Sequence, residues 1–304
     1  MGKKFIRSVD KTMHSSQIQI RDPFILKDDG RYYMFGSTDE NIWGDAPGVG
    51  FDVYVGNDLE NWEGPIHAFR PKDDFWGKTN FWAPEVYKYK DFYYMFATFR
   101  GGDVMRGTAI LKSDSPTGPF HQWSEGPITP KEWFSLDGTF YVDENDIPWM
   151  VFCHEWVQIK DGTVCAIQLS GDLKRPVGEV IELFKSSDAT WSKMAHSKSN
   201  NISGWVTDGC NFYKMKNGKL LMLWSCVGEQ GYCIGYAISE NGKITGPWKQ
   251  CQYPLFEKDG GHGMIFESYD GRLLLSIHTP NDTPNERAAF FELSEMAYGL
   301  EIKN

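Results

Sequence analysis

Five similar segments of this chain have, as their first or second residue, one that can carry charge or move protons: three aspartates, one glutamate and one histidine. They are Asp22, Glu85, Asp137, Asp208 and His262. A single acid at a loop-to-strand junction is often a turn or capping residue. Three aspartates that recur in a repeat are different, because converging like charges repel one another and cost stability unless a ligand or a reaction requires them. We therefore expect catalysis or ligand binding where these segments meet.

The acids suit the hydrolysis of a glycosidic bond. One carboxyl group protonates the leaving oxygen, and another activates water or attacks directly. A third acid nearby can keep the donor protonated by raising its pKa. Aromatic side chains would supply flat apolar surfaces for sugar faces, and core packing is the alternative explanation for the same residues. The aromatic candidates are Trp43, Trp76, Phe81, Trp82 and Trp156.

Each of the five segments consists of a short apolar strand, a tight turn and a second, aromatic-rich strand. A further pair of strand-like runs follows each hairpin. The segments begin 53 to 71 residues apart, which is the spacing of a radial β array whose units share one axis. Three of the turns carry residues that tolerate positive φ in two-residue hairpins. These turns are Asp29-Gly30, Asn217-Gly218 and Asp270-Gly271.

These features predict an all-β fold: a single five-bladed β-propeller domain over residues 1–304, with four-stranded antiparallel blades around a central channel. If the first strand of each blade is innermost, its opening residue lies at one mouth of the channel. The hairpin then returns the end of the second strand to the same mouth. The second strands would bring Thr38, Phe99, Glu155, Cys226 and His278 to this rim.

The composition allows a large core, and the net charge narrows the choice of ligand. The chain has 304 residues, of which 41% are hydrophobic and 15% aromatic, and its formal net charge is −10. Nucleic acids and anionic membranes are bound through a surplus of Lys and Arg, so we expect neither as a partner. No stretch approaches the ~20 apolar residues of a membrane span. A neutral or cationic ligand, such as an oligosaccharide or an aryl glycoside, fits better.

The N-terminus and the cysteines favour a cytoplasmic protein. Residues 1–8 include charged side chains, but no apolar core of a signal peptide follows them. The six cysteines form no CxxC pair, and we expect reduced, mostly buried thiols. An exported protein whose leader has been removed fits the same sequence.

An ordered set of motifs resembles the family 43 glycoside hydrolases over roughly residues 18 to 296. The set is much more specific than any one of its members. The resemblance implies a five-bladed propeller and an inverting mechanism that acts on α-L-arabinofuranosides, β-D-xylosides or related furanosides such as galactofuranosides. The motifs are Arg21-Asp-Pro-Phe, Phe81-Trp-Ala-Pro-Glu-Val, Ser135-Leu-Asp-Gly-Thr, the strand beginning at Asp208, and His278-Thr-Pro-Asn.

The resemblance also implies roles for individual residues. Asp22 matches the general base that deprotonates the attacking water, and Asp137 matches the acid that tunes the donor's pKa and helps orient it. His278 matches a histidine near the propeller axis that in some members helps hold a calcium ion through water; no other cofactor is expected. Arg287 could reach the sugar as a hydrogen-bond donor. The remaining substrate-binding candidates are Trp43, Phe81, Trp82 and Trp156.

The chain departs from the family pattern at the proton donor. The family typically opens this strand with Glu-Gly-Pro, whereas this sequence has Asp208-Gly-Cys210. Aspartate is one methylene shorter, and a misplacement of about 1 Å can cost about 10²-fold in rate. Three explanations remain open: Asp208 is the acid and the backbone has moved to suit it, Glu155 donates the proton instead, or the site binds sugar without cleaving it. Asp208 is the preferred acid and Glu155 the second candidate.

The sequence thus predicts an exo-acting or short-substrate glycosidase that cleaves α-L-arabinofuranosyl or β-D-xylosyl bonds with inversion. One rival function is a non-catalytic sugar-binding propeller, which would release no product. Another is a glycoside phosphorylase, whose cleavage would depend on phosphate. A phosphorylase also calls for a cluster of Arg, Lys and His at the mouth of the channel, and the sequence offers few such residues there.

Overall fold

The computed structural model describes residues 12–39, 42–43, 46–197 and 201–303. These residues form antiparallel sheets arranged as the five blades of a β-propeller, which confirms the predicted fold. The signal-peptide prediction concerns residues 1–8, which lie outside the described ranges. No helix in the described part of the chain is long and apolar enough to cross a membrane.

Each blade has four strands in sequence order, and blade 1 carries a fifth strand, β1 (Thr12–His14), on its outer edge. Blade 1 further contains β2 (Arg21–Asp28), β3 (Arg31–Ser37), β4 (Phe51–Gly56) and β5 (Asn61–Phe69). Blade 2 contains β6 (Thr79–Tyr89), β7 (Phe92–Arg100), β8 (Gly107–Ser113) and β9 (His121–Gln122). Blade 3 contains β10 (Ser135–Val142), β11 (Pro148–His154), β12 (Thr163–Leu169) and β13 (Pro176–Lys185).

The last two blades are separated from blade 3 by a two-stranded hairpin of β14 (Met194–Ser197) and β15 (Ile202–Trp205). Blade 4 contains β16 (Asp208–Lys214), β17 (Leu220–Gly228), β18 (Gly231–Ser239) and β19 (Trp248–Gln250). Blade 5 contains β20 (Gly261–Glu267), β21 (Leu273–Thr279), β22 (Arg287–Met296) and β23 (Gly299–Ile302). Helical structure in the described ranges is limited to α1 (Trp156–Ile159) and two 3₁₀ turns (Ser15–Gln17 and Ser186–Asp188).

The first strand of each blade is innermost, as predicted. Strand β2 contacts β6 on one side and β20 on the other, and β16 lies between β10 and β20. The five first strands therefore surround the axis, and their starts meet at one mouth of the channel.

The turns at the opposite ends of the inner hairpins are only partly as predicted. Asp29 and Gly30 form a two-residue loop in which both residues have positive φ, 45° and 73°. The other two turns sit in longer loops, because Lys214 pairs with Leu220 and Glu267 with Leu273. Only the glycine of each has positive φ there. The prediction of two-residue hairpins was therefore wrong for blades 4 and 5.

A β-bulge interrupts the innermost strand of every blade near the mouth of the channel. Two residues of the first strand face one residue of the second. The first of the two has a φ between 45° and 56°, and the bulge re-aims its side chain. The residues at this position in blades 1 to 5 are Asp22, Ala83, Asp137, Gly209 and His262.

This register corrects the equivalence drawn from the sequence. Asp22, Asp137 and His262 do occupy the same position in their blades. Asp208, however, lies one residue before the bulge of blade 4, and Glu85 comes directly after the two bulge residues of blade 2, two positions beyond Ala83. These five ionisable residues therefore occupy three different positions relative to the bulge. A shift of one residue along a strand also moves a side chain to the opposite face of the sheet.

Hydrogen bonds connect the bulges from blade to blade. At four junctions the bulge N–H donates to a side chain at the end of the second strand of the preceding blade, over 2.8 to 3.1 Å. At the fifth junction the corresponding position is Cys153, and the Asp137 carboxylate accepts the N–H of Gly209 over 3.0 Å. The other pairs are Asp22 with His278, Ala83 with Ser37, Asp137 with Thr98, and His262 with Ser225.

The core lies between the blades and is rich in aromatic rings. Strands β3 and β7 are buried along almost their whole length, as expected for strands covered on both faces. Phe81 is 2% exposed and packs edge-to-face against Phe99, with ring centroids 4.8 Å apart. Phe81 is therefore a core residue, and Trp76, which packs on Phe75 and Phe99, belongs to the same cluster.

Candidate active site

A cavity of about 510 Å³ opens at the mouth where the bulges meet. This volume is within the usual range of small-ligand sites, about 300–1,000 Å³. Seven of the predicted site residues line the cavity: the four acids Asp22, Asp137, Glu155 and Asp208, and the three tryptophans Trp43, Trp82 and Trp156.

Asp22 is held as an ionised carboxylate. Its Oδ2 accepts a hydrogen bond from Ser37 Oγ at 2.7 Å, and its Oδ1 lies 3.2 Å from Nδ1 of His262. Burial alone would raise the pKa of Asp22, but its electrostatic interactions with His262, His278 and Arg21 and the Ser37 hydrogen bond together outweigh burial and lower the pKa. A carboxylate that stays ionised is suited to accept a proton from water.

His278 fixes the position of Asp22 through a hydrogen bond to the Asp22 backbone. Its Nδ1 accepts the backbone N–H of Asp22 at 3.1 Å, and its Nε2 lies 3.2 Å from Asn281 Oδ1. Burial, opposed by the Asp22 carboxylate, lowers the pKa of His278 to about 3. At neutral pH this imidazole is therefore uncharged, with its proton on Nε2, and it acts as a hydrogen-bond acceptor.

Asp137 is placed between the other two aspartates. Its Oδ2 accepts the Gly209 N–H and lies 3.7 Å from His262 Nδ1. Burial and the negative charge of Asp22 raise its pKa well above the ordinary value of 3.8. His262 thus contacts both Asp22 and Asp137, and the two carboxyl groups are driven towards opposite protonation states, as in other sites where neighbouring acids divide acid and base roles.

Asp208 has the properties of a proton donor. Burial and the charge of Asp137 raise its pKa to about 7, so the carboxyl group retains its proton up to near-neutral pH. Its Oδ2 accepts a hydrogen bond from the Tyr232 hydroxyl at 3.0 Å. Asp208 lines the cavity, so its short side chain reaches the space that a substrate would fill.

Glu155 has a different environment. It follows β11 directly and lines the cavity. The distance from its Oε2 to Nη2 of Arg106 is 3.0 Å. Burial raises the pKa of Glu155, and the charges of Arg106 and Arg100 oppose that rise. A carboxylate paired with a guanidinium is a poorer proton donor than Asp208, because the positive charge favours its ionised form.

Two of the five predicted substrate-binding residues lie away from the cavity lining. Phe81 belongs to the core. The guanidinium of Arg287 donates to three backbone carbonyls, those of Ser16, Pro284 and Glu286, and Arg287 does not line the cavity. The structure therefore corrects both substrate-binding predictions.

Three arginines that were not among the predicted site residues line the cavity: Arg21, Arg100 and Arg106. Arg21 directly precedes Asp22, and its Nη2 donates to Asn281 Oδ1 at 2.6 Å. Because this contact spans 260 positions of the chain, no local pattern could reveal it. The only available signal was the position of Arg21 inside the Arg-Asp-Pro-Phe motif.

Glu85 lies deeper than the cavity. It is 7% exposed, accepts a hydrogen bond from the Tyr87 hydroxyl, and does not line the cavity. Burial raises its pKa to about 8, so it is largely neutral at pH 7. Glu85 is thus a buried acid of the channel wall rather than a member of the rim.

The predicted calcium ion stays a prediction. In the described ranges no group of three or more His, Cys, Asp or Glu side chains is placed to hold a metal ion. Both ring nitrogens of His278 already have protein partners, so His278 does not fit as a direct metal ligand.

Comparisons with known proteins show the family of this chain. The family described as glycosyl hydrolases family 43 matches residues 16–296. This chain belongs to glycosyl hydrolase family 43. The family is an inverting one, and the enzyme is accordingly a glycosidase. A search among curated proteins finds no match.

Solved structures similar to this family 43 enzyme include an endo-arabinase from Bacteroides thetaiotaomicron VPI-5482, at 40% identity and a TM-score of 0.87, covering 96% of this chain and 99% of that one. An endo-1,4-beta-xylanase from the same organism has 23% identity and a TM-score of 0.75, with 97% of each chain covered. A β-xylosidase/α-arabinofuranosidase from a compost metagenome has 19% identity and a TM-score of 0.72, again with 97% of each chain covered. The last two show the fold alone.

Substituting Gly209 should damage both stability and activity of this family 43 enzyme. Gly209 has a φ of 51°, and a Cβ there would lie 2.6 Å from the ring of His262. We expect Gly209→Ala to cost about 1–2 kcal/mol in the free energy of unfolding, because an L-residue is strained in this region. Displacing His262 should also lower kcat by about 10-fold or more. Urea unfolding and kcat measurements check both effects.

Gly171→Ala is the matched control. A Cβ at Gly171 has nothing within 4 Å, and its φ is not in the positive range. This variant should keep the stability and kcat of the original enzyme. If Gly209→Ala behaved in the same way, the close packing of blade 4 against His262 would be wrong.

Proposed function

We propose that this enzyme hydrolyses α-L-arabinofuranosyl bonds with inversion, with Asp22 as the base, Asp208 as the acid and Asp137 as the group that holds the donor protonated. The observation that carries the proposal is the opposite shift of two carboxyl groups in one cavity. The pKa of Asp22 is lowered and that of Asp208 is raised to about 7. Near pH 6 one is an ionised base and the other a protonated acid, which is the pairing that inversion requires.

The proposed reaction assigns one task to each residue. The Asp22 carboxylate removes a proton from a water molecule, whose oxygen forms a bond to the anomeric carbon. The bond from that carbon to the leaving oxygen breaks, and Asp208 transfers its proton to this oxygen. Asp208 keeps its proton chiefly because it is buried, and the neighbouring Asp137 carboxyl raises its pKa further. Trp43, Trp82 and Trp156 supply aromatic surface at the cavity wall.

The preference for arabinose rests on the endo-arabinase, which is 40% identical over nearly the whole chain. The structures named as a xylanase and a β-xylosidase/α-arabinofuranosidase are below 25% identity. They are therefore weaker support for β-D-xylosyl bonds as the substrate of this enzyme than the endo-arabinase is for arabinosyl bonds. Trp43 is 56% exposed at the edge of the cavity and is available to a sugar beyond the cleaved bond. An arabinose-containing oligosaccharide is therefore the proposed substrate class.

A panel of p-nitrophenyl glycosides and short arabino-oligosaccharides tests the proposal. We expect cleavage of the α-L-arabinofuranoside to exceed cleavage of the β-D-xyloside, and proton NMR should show the β-anomer of arabinose as the first product. A first product of α configuration would contradict inversion. Release of no product from any substrate would favour a sugar-binding propeller.

The same panel should be run with and without inorganic phosphate and a metal chelator. Three arginines line the cavity, more cationic groups than the sequence indicated, and a phosphorylase would use such groups to bind phosphate. We nevertheless expect phosphate to have no effect, because Arg21 is bound by Asn281 and Glu286 and Arg106 by Glu155. Phosphate-dependent formation of a sugar phosphate would overturn the hydrolase assignment.

A further inference from the structure

Arg106 and Glu155 form a buried ion pair in the cavity wall, at the junction of blades 2 and 3. Their side chains are 13% and 8% exposed, and Nη2 lies 3.0 Å from Oε2. The backbone holds both residues in place, because Ser135 N–H donates to the Arg106 carbonyl at 2.9 Å and Glu155 N–H to the Phe134 carbonyl at 2.8 Å. The pair is therefore a rigid part of the wall.

Each member of this pair has a buried atom whose hydrogen-bonding capacity is unused. Within the described residues, Arg106 Nε and Glu155 Oε2 have no hydrogen-bond partner, and the 3.0 Å contact between the side chains is an ion pair without hydrogen-bond geometry. No other buried, unpartnered side-chain atom of the described chain belongs to a residue that lines the cavity. A donor and an acceptor left unpaired in this way are costly unless a ligand engages them.

The pair lies on the side of the proposed acid. The charge of Glu155 acts on both Asp137 and Asp208, and Arg106 is in turn influenced by these two aspartates. The groups that act on Asp22 are instead His262, His278, Arg21 and Ser37. In an inverting enzyme the acid and the base lie on opposite sides of the cleaved bond. Groups beside the acid therefore face the leaving group.

An aromatic surface adjoins the pair. The guanidinium carbon of Arg106 lies 4.5 Å from the centroid of the Trp82 ring, and Trp82 meets Trp43 edge-to-face at 5.6 Å. Polar groups beside aromatic rings suit a pyranose or furanose, which has an apolar face and hydroxyls at its edge.

We propose that Arg106 and Glu155 form the subsite for the sugar on the leaving side of the cleaved bond. Glu155 Oε2 accepts a hydrogen bond from one hydroxyl, and Arg106 Nε donates to a neighbouring hydroxyl of the same neutral sugar. This inference rests on the proposed function and assigns Glu155 to substrate recognition rather than proton donation. The pair then discriminates a glycosyl leaving group from an aryl one.

The test compares two substrates that differ only in the leaving group: arabinobiose and p-nitrophenyl α-L-arabinofuranoside. A hydrogen bond to a charged group is worth about 10- to 150-fold in affinity. We expect Glu155→Gln to lower kcat/KM for arabinobiose at least about 10-fold more than for the aryl glycoside. The basic limb of the pH profile should remain. Glu132→Gln, at an exposed acid near blade 3, is the control.

The double variant Arg106→Gln/Glu155→Gln removes both charges and leaves no uncompensated charge in the wall, so it tests the proposal if Glu155→Gln folds poorly. It should show the same preferential loss for arabinobiose. In an Asp22→Asn background, calorimetry should show weaker arabinobiose binding when Glu155→Gln is added.

Three results would count against the subsite. Equal losses on both substrates, with disappearance of the basic limb, would make Glu155 the proton donor. Equal losses with the limb retained would make the pair merely structural. Failure of the unsubstituted enzyme to cleave either substrate would instead refute the proposed function, and the subsite would fall with it.

Discussion

Replacing Asp22 by asparagine is expected to lower kcat by roughly 10²–10⁴-fold, the usual contribution of a general base. Asparagine has the same shape as aspartate and can still accept the Ser37 hydrogen bond, but its amide cannot take a proton from water. The fold and sugar binding should persist, because the Ser37 hydroxyl can donate to the neutral amide oxygen of asparagine as it does to the carboxylate. Steady-state kinetics, thermal unfolding and calorimetric binding of arabinobiose measure the three properties.

Asp146→Asn provides the control for this change. Asp146 is exposed in the hairpin loop of blade 3 and has a positive φ of 59°, a conformation that asparagine also adopts. Its kcat should equal that of the unsubstituted enzyme. An Asp22→Asn variant that retained near-normal hydrolysis would show that another group activates the water.

Replacing Asp208 by asparagine is expected to have the second large effect. Loss of this proposed proton donor should lower kcat on arabino-oligosaccharides by roughly 10²–10⁴-fold. The loss should be much smaller on an aryl glycoside with a good leaving group, such as 2,4-dinitrophenyl, since that group departs without protonation. Comparing the two substrates separates a donor from a residue that only shapes the cavity.

The pH profile gives an independent test of the same residue. The pKa of Asp208 is raised to about 7, so the rate should fall as pH rises above about 7, where the donor loses its proton. The pKa of Asp22 is lowered below 3.8, so the acid limb should lie below that value. In Asp208→Asn the basic limb should vanish. If the limb survived in Asp208→Asn but vanished in Glu155→Gln, Glu155 would be the donor.

The aspartate at position 208 differs from the glutamate that is typical of the family, and the local structure shows what accompanies the shorter side chain. Asp208 lies one residue before the bulge of blade 4, and Gly209 occupies the bulge itself. Without a Cβ, Gly209 packs closely against His262. The Tyr232 hydroxyl, from the third strand of the same blade, then holds the Asp208 carboxyl. Asp208 therefore reaches the cavity without the additional methylene.

The expectations from sequence succeeded where the signal is local and repeated. Apolar strands and turns that recur every 53 to 71 residues predicted five blades, because each hairpin has an apolar face that only neighbouring blades can bury. Three of the four candidate acids stood out by position in that repeat: Asp22, Asp137 and Asp208. Glu155 followed from the return of a hairpin to the same mouth.

The wrong predictions concern how deep a side chain lies in the channel and which face of its strand it occupies. Phe81 and Trp82 are adjacent in the chain, yet Phe81 is buried in the core whereas Trp82 lines the cavity, because successive side chains of a strand point to opposite faces. Glu85 was placed on the rim, but the bulge of blade 2 falls at Ala83 and leaves Glu85 in the channel wall. A bulge moves the register by one residue, and the repeat alone did not reveal it.

By itself, the sequence determined the propeller, the membership of an inverting glycosidase family and the aspartates that face one mouth. The propeller and the aspartates follow from short-range patterns repeated along the chain, and the family follows from the resemblance of an ordered set of motifs. Only the tertiary structure decided which acid is ionised and which is protonated, since burial and groups from distant segments set their pKa values. His262 and His278 outweigh burial and lower the pKa of Asp22, whereas burial and Asp137 raise the pKa of Asp208. Electrostatic and hydrogen-bonding environments depend on distance in space, and the closure of five blades around one axis creates those distances.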